Sequence, residues 1–205
     1  MNRVHVDAEG SLNDDLPFPA DALVLPIPLH RFHRYQGDTN DCGPFCVAIA
    51  VNGLRGQAIL DGPTVARRME RLRWGRGLLP FPTLGKIPGW ATLPWGPSDE
   101  LRRHGFRARW RLFGTRERLL RNLLTGRVTI VAVGEPFRFV KGRWRGWGHL
   151  KLLYAWDPEQ GWAFVDPGVV PRPGDPWLAH GIDWQSDEEF IRQWGWMLRF
   201  MVEVG

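Results

Sequence analysis

Gln36-Gly-Asp-Thr-Asn-Asp-Cys-Gly-Pro-Phe-Cys46 runs without a break into an apolar stretch, and how this segment is read decides the fold. Cys42 stands where a helix should begin. Asp41 is placed to cap the free backbone N–H groups, Pro44 is tolerated in a first turn, and Phe45, Ala48, Ile49 and Asn52 follow at helical spacing. The helix is expected to end near Asn52-Gly53. The positive end of a helix favours a thiolate, which is the nucleophilic form of cysteine. A lone cysteine at a helix start is more often structural, so a catalytic reading also requires a base. Gly148-His149 supplies one, and Asp166 follows seventeen residues later.

Those two residues are brought together by the strands around them. Leu150–Trp156 and Trp162–Val165 read as two strands joined by a turn at 157–161, with His149 starting the first strand and Asp166 finishing the second. In an antiparallel pair such ends lie side by side. Asp157 also follows His149 and precedes a proline, but it lies at the far end of the hairpin, roughly 25 Å of strand away. Asp166 is therefore the expected partner.

Working outward, Val4 and Val6 alternate, and residues 22–29 are apolar but carry Pro26 and Pro28, so residues 1–30 read as an edge strand or an extended arm. His30 and His33 lack ligand partners at metal spacing and read as surface or packing histidines. A helix capped by Asp61 or Thr64 should place Val65, Met69 and Leu72 on one face and stop at Gly75. Residues 76–96, rich in Gly, Pro and Trp, form a long loop that could wall a substrate cleft. Ser98 is expected to cap a short helix ending at Gly105. Phe106, Ala108, Trp110 and Leu112 then alternate with Arg107, Arg109 and Arg111 in a half-buried strand whose arginine side reads as a solvated face. Thr115 opens a helix with Leu119, Leu120, Leu123 and Leu124 inward. Val128–Val133 is an apolar strand, and 136–148 reads as a glycine-punctuated loop leading to His149. Ser186 and Glu189 suggest a capping box for a helix ended by Gly195, and Met197–Val204 is a last strand.

Composition narrows the function classes. At 205 residues the chain is expected to form one domain. The 27 Lys+Arg against 22 Asp+Glu give +5, an ordinary solubility charge, and the arginines are spread along the sequence. A nucleic-acid role is not favoured, although 12 tryptophans could stack on bases. Cys42 and Cys46 lie four apart on one helix, so both should remain thiols, which suits a reducing compartment. No apolar run approaches the roughly 18 residues of a membrane span. A soluble cytoplasmic protein without metal or cofactor is expected.

The segment Gln36–Cys46, with its glutamine six residues before Asp-Cys-Gly-Pro, resembles the active-site segment of papain-like cysteine peptidases, most closely the bacterial double-glycine leader peptidase-like (bacteriocin-processing peptidase-like) family. Gly148-His149 before an apolar strand and Val165-Asp166-Pro167 match that family's other two motifs, in the same order. The resemblance implies an α+β papain-like fold with the catalytic helix packed on an antiparallel sheet. It implies Cys42 as nucleophile, His149 as general base and acid, Asp166 as the group orienting the imidazole, and Gln36 as an oxyanion-hole donor. The substrate class would be a peptide or protein, although amidases and acyltransferases use the same triad. The competing expectation is a catalytically silent domain that binds a peptide or protein partner. With no membrane region or nucleotide-binding domain alongside, leader cleavage coupled to export is not expected.

Overall fold

The computed structural model describes residues 16–73 and 82–205. The features expected before Leu16, the stop at Gly75 and the start of the 76–96 loop lie outside these residues.

The segment that opens at Cys42 forms α1, Cys42–Arg55, and it is apolar nearly all round, with every residue from Gly43 to Gly53 buried. A helix of that kind belongs inside a core, and α1 packs against a sheet strand on one side and two helices on others. It runs past Asn52-Gly53 and ends at Gly56, which adopts the left-handed conformation with φ 64°. The expected Asp41 cap is not made. Asp41 instead pairs with the buried Lys86 ammonium at 2.9 Å, because the same ammonium also holds Glu70 at 2.6 Å and so ties the helix start to the 82–94 segment.

The other helices follow their caps more closely. Helix α2, Gly62–Met69, is capped by Asp61, whose carboxylate accepts from the Thr64 N–H at 2.8 Å. It stops before Leu72, which is exposed instead of continuing the apolar face. Helix α3, Trp95–Arg103, starts three residues before Ser98, so Ser98 is no cap and donates back to the Trp95 carbonyl at 2.9 Å. The start is fixed by the Trp95 indole, which donates to the Leu84 carbonyl at 2.7 Å. Helix α4, Arg116–Leu124, is capped by Thr115 and buries Leu119 and Leu123, while Leu124 faces solvent. Helix α5, Asp187–Trp196, is capped by Ser186 and passes through Gly195. The reciprocal half of the expected capping box is absent, since the Glu189 carboxylate accepts from the Gln193 amide.

The strands are β1, Leu23–Val24; β2, Ala108–Arg111; β3, Val128–Val140; β4, Arg143–Asp157; β5, Gly161–Val165; β6, Ile182–Gln185; and β7, Met201–Val204. They form one antiparallel sheet in the order β2-β7-β3-β4-β5-β6, with β1 paired to β4. The last strand is shorter than expected because Leu198 and Arg199 turn the chain at positive φ. On the arginine face of β2, Arg111 is committed to the buried Glu203 at 2.7 Å. Arg118 and Asn122 bind the same carboxylate, and their hydrogen bonds outweigh burial and hold Glu203 down to about 2.

The largest correction concerns residues 136–148. They are a hairpin. Strand β3 continues to Val140, β4 starts at Arg143, and Lys141-Gly142, at φ 50° and 74°, make the two-residue turn whose twist suits a hairpin. Pro136 has no N–H to donate and falls where the register shifts by one residue between Glu135 and Arg138. His149 therefore lies in the middle of β4, opposite Val133, and not at its start. His30 and His33 are both buried, so they are packing residues and not surface ones.

Candidate active site

Cys42 opens α1, half-buried, at the floor of a cleft of about 590 Å³ whose lining includes Gln36, Trp90, Trp147 and His149. The 90–94 stretch of the Gly/Pro/Trp-rich loop also lines this cleft. The loop is stitched to the helix start by the Lys86–Asp41 pair and by the Asn40 side-chain amide, which donates to the Gly89 carbonyl at 3.0 Å. Apolar side chains crowd the mouth, with Trp90, Leu112, Trp147, Trp196 and Leu198 all exposed.

His149 reaches the cleft from β4, and Asp166 immediately follows β5. The His149 Nε2 lies 2.5 Å from Asp166 Oδ1. The Cys42 sulfur interacts with the same ring. Burial pulls the imidazole down, but the Asp166 hydrogen bond and then Cys42 outweigh it and raise His149 from its ordinary 6.5 to about 9. Asp166 moves the opposite way. Burial opposes its charge, yet the His149 bond, the Lys151 ammonium and the Gly168 N–H together hold it well below the usual carboxylate range. The geometry thus favours a protonated ring beside an ionised carboxylate.

Asp166 is fixed from several sides. Its Oδ1 also accepts the Gly168 N–H at 2.6 Å, its Oδ2 lies 3.1 Å from Lys151 Nζ, and its backbone carbonyl accepts from His33 Nε2 at 2.8 Å. Gly168 leaves room for this pair, since a Cβ there would stand 3.1 Å from both the His149 ring and the Asp166 carboxylate and press on both. Asp157, the other carboxylate before a proline, is far from this group. It closes the β4–β5 turn by accepting the Glu159 and Gln160 N–H groups at 2.9 and 2.8 Å.

Gln36 lines the cleft with Cys42 and His149. Its amide orientation follows from one bond, in which Nε2 donates to the Thr39 carbonyl at 2.7 Å. The Thr39 hydroxyl returns to the Gln36 carbonyl at 2.9 Å, and the Gln36 N–H donates to the Pro167 carbonyl at 2.8 Å. A second N–H of the side-chain amide remains for another acceptor. Gln36 Oε1 is buried and accepts no hydrogen bond from the protein.

Cys46, one turn deeper, donates its S–H to the Leu150 carbonyl at 3.2 Å, and burial pushes its thiol well above the ordinary value. Sequence reasoning missed two participants in this neighbourhood, Lys151 and His33. Lys151 is buried and bridges Asp166 to Asp183 at 3.1 and 2.6 Å, and the two carboxylates outweigh burial and keep it charged. The signal was a single ammonium inside the apolar run Leu150–Trp156. His33 carried no comparable signal, because its role depends on the chain folding back onto Asp166. Among the described residues no cluster of three or more His, Cys, Asp or Glu side chains could hold a metal ion. Nor is any described helix long and apolar enough to cross a membrane.

With this geometry in place, the comparison with solved structures is informative. One match is a protein of Bacillus anthracis provisionally assigned as a C39-like peptidase, superposing with a TM-score of 0.59 over 87% of this chain and 96% of that one at 10% identity. The fold is similar to that of a C39-like peptidase. No protein-family profile matches the sequence, and no curated protein matches it. At such low identity the likeness concerns architecture, a mixed set of helices against an antiparallel sheet.

Proposed function

We propose that the chain is a thiol-dependent peptidase in which Cys42, His149 and Asp166 act as a triad and Gln36 as an oxyanion donor. The observation that carries this is the His149 ring shared by two partners, Asp166 at 2.5 Å on Nε2 and the Cys42 sulfur, in an apolar-rimmed cleft. The likeness to a C39-like peptidase fold is consistent with the reading.

In the mechanism, the Cys42 thiolate attacks the carbonyl carbon of the scissile amide and an S–C bond forms. The electron pair moves onto the carbonyl oxygen, where the Cys42 backbone N–H and the free N–H of Gln36 Nε2 receive it. Collapse breaks the C–N bond, and the protonated His149 ring gives its proton to the departing amine. The thioester is then attacked by a water that loses its proton to His149, releasing the acid and restoring the thiolate. Asp166 keeps the ring oriented throughout and stabilises its charged form.

The test is mass mapping after brief iodoacetamide treatment at pH 6. Cys42 should be alkylated far faster than Cys46, whose sulfur is buried and committed to the Leu150 carbonyl. Equal labelling, or Cys46 first, would remove the activated nucleophile and leave the silent peptide-binding domain as the better account.

A further inference from the structure

From Val133 and His149 onward, β3 and β4 leave their sheet. Strand β7 accompanies β3 only as far as Val131, and β5 accompanies β4 only from Leu152. The remainder is a two-stranded ribbon projecting about eight residues, or roughly 26 Å, beyond the histidine. A free two-stranded ribbon is marginally stable by itself. This one bears an added penalty, for Arg138 and Arg145 stand directly opposite each other across the strands, and like charges in that position repel.

The charge is concentrated there. Residues 135–147 hold four cations, Arg138, Lys141, Arg143 and Arg145, against one carboxylate, Glu135, a net +3 out of +5 for the whole chain. All four cations are exposed, and among the described residues none enters an ion pair. The groove beside the arginine pair is lined by Glu135, Pro136, Arg138, Arg145, Gly146 and Trp196. Gly146 and Trp196 also line the cleft that holds Cys42 and His149, so the two depressions are adjacent.

We propose that this ribbon is an extended subsite that seats an acidic segment of the peptide substrate, several residues from the bond presented to Cys42. The proposal rests on the peptidase reading for its occupant. A carboxylate set between Arg138 and Arg145 accepts charge-assisted hydrogen bonds from both guanidinium groups and turns their repulsion into attraction. The field of the ribbon also draws an acidic chain toward the cleft before contact. An apolar stretch in the cleft followed or preceded by Asp or Glu is the substrate pattern implied.

The experiment uses the full-length chain carrying Cys42→Ala, which prevents turnover, and fluorescein-labelled (Gly-Ser-Glu)4, (Gly-Ser-Gln)4 and dT12 in anisotropy titrations. At about 50 mM salt the glutamate peptide should bind at least about tenfold more tightly than the glutamine peptide, and the difference should vanish by about 500 mM as screening tightens. Arg138→Gln/Arg145→Gln should abolish the preference, with circular dichroism unchanged because both side chains are exposed. Arg107→Gln/Arg109→Gln, on the other basic face, should leave it intact. Equal binding of the two peptides overturns the proposal, as does loss of preference through the 107/109 pair instead. Tighter binding of dT12 than of the glutamate peptide would make the ribbon a nucleic-acid surface. Cys42 labelling is read on the unmodified chain, so a glutamate preference without fast labelling would retain the acidic-peptide site and discard the chemistry.

Discussion

Replacing Lys151 with methionine tests whether a buried charge behind Asp166 tunes the imidazole. Lys151 Nζ is 3.1 Å from Asp166 Oδ2, and His149 Nε2 is 2.5 Å from Oδ1. A carboxylate is roughly 2.2 Å across, so the ammonium sits within about 8 Å of the ring nitrogen. At that distance and an effective dielectric constant of about 20, its repulsion of the imidazolium is about 2 kcal/mol, equivalent to about 1.5 pK units. Removing it also leaves the Asp166 and Asp183 carboxylates facing each other, and both favour a charged ring. The other titratable groups around the pair, Cys42, Cys46 and His33, are unchanged by the substitution. His149, already at about 9, should therefore rise further. The alkaline limb of kcat/KM, which reports loss of the imidazolium proton, should move up by about 1 to 1.5 units, and kcat should fall because a stabilised imidazolium is a poorer proton donor. Lys151→Met/Asp183→Asn removes both charges and should return the limb to within about 0.5 unit, since a neutral pair exerts little field. The same shifts can be followed in the His149 Cε1–H resonance without any substrate. A lower kcat with neither limb nor resonance displaced would make Lys151 a structural peg and refute the electrostatic argument.

Asp166→Ala should lower kcat/KM by at least about a hundredfold, as expected for loss of the group that orients a catalytic base. Asp157→Ala should leave the rate within about threefold while costing about 0.5–1.5 kcal/mol of stability, because the Glu159 and Gln160 N–H groups lose their acceptor in the turn; the opposite pattern in a paired rate and melting measurement would overturn the choice of carboxylate. Gln36→Ala should cut kcat by about 10² to 10³ while Cys42 labelling persists, since an oxyanion donor acts after attack begins. Turnover of a peptide substrate within about threefold of the unsubstituted chain would end that assignment.

The parts of the site that could be read from sequence are those set by local pattern. Helical spacing after Pro44 places Cys42 at a helix start whatever the rest of the chain does. The period of two on either side of the 157–161 turn brings Asp166 back beside His149. What escaped reading depends on contacts between distant segments. Asp41 is the favoured cap by residue type, but Lys86, distant in sequence, takes its carboxylate. Ser98 looks like a helix start until the Trp95 indole finds the Leu84 carbonyl and begins the helix a turn earlier. The ribbon at 136–148 looked like a loop because its turn is Lys-Gly, with a lysine in the left-handed region where asparagine or aspartate is the usual sign, and because Pro136 and Gly146 interrupt the alternation.

Strand β4 links these features. Arg145, Trp147, His149 and Lys151 are alternate residues, and in a strand alternate residues share a face. Along that face the chain passes from the basic ribbon, to the cleft mouth, to the imidazole, to the ammonium behind Asp166. The intervening positions Leu150, Leu152 and Tyr154 are buried, and Leu150 also gives its carbonyl to the Cys46 thiol of α1. A slip of one residue would exchange the two faces of β4, turning His149 away from Cys42 and taking Lys151 away from Asp166 and Asp183. The register of β4 therefore sets where His149 and Lys151 point.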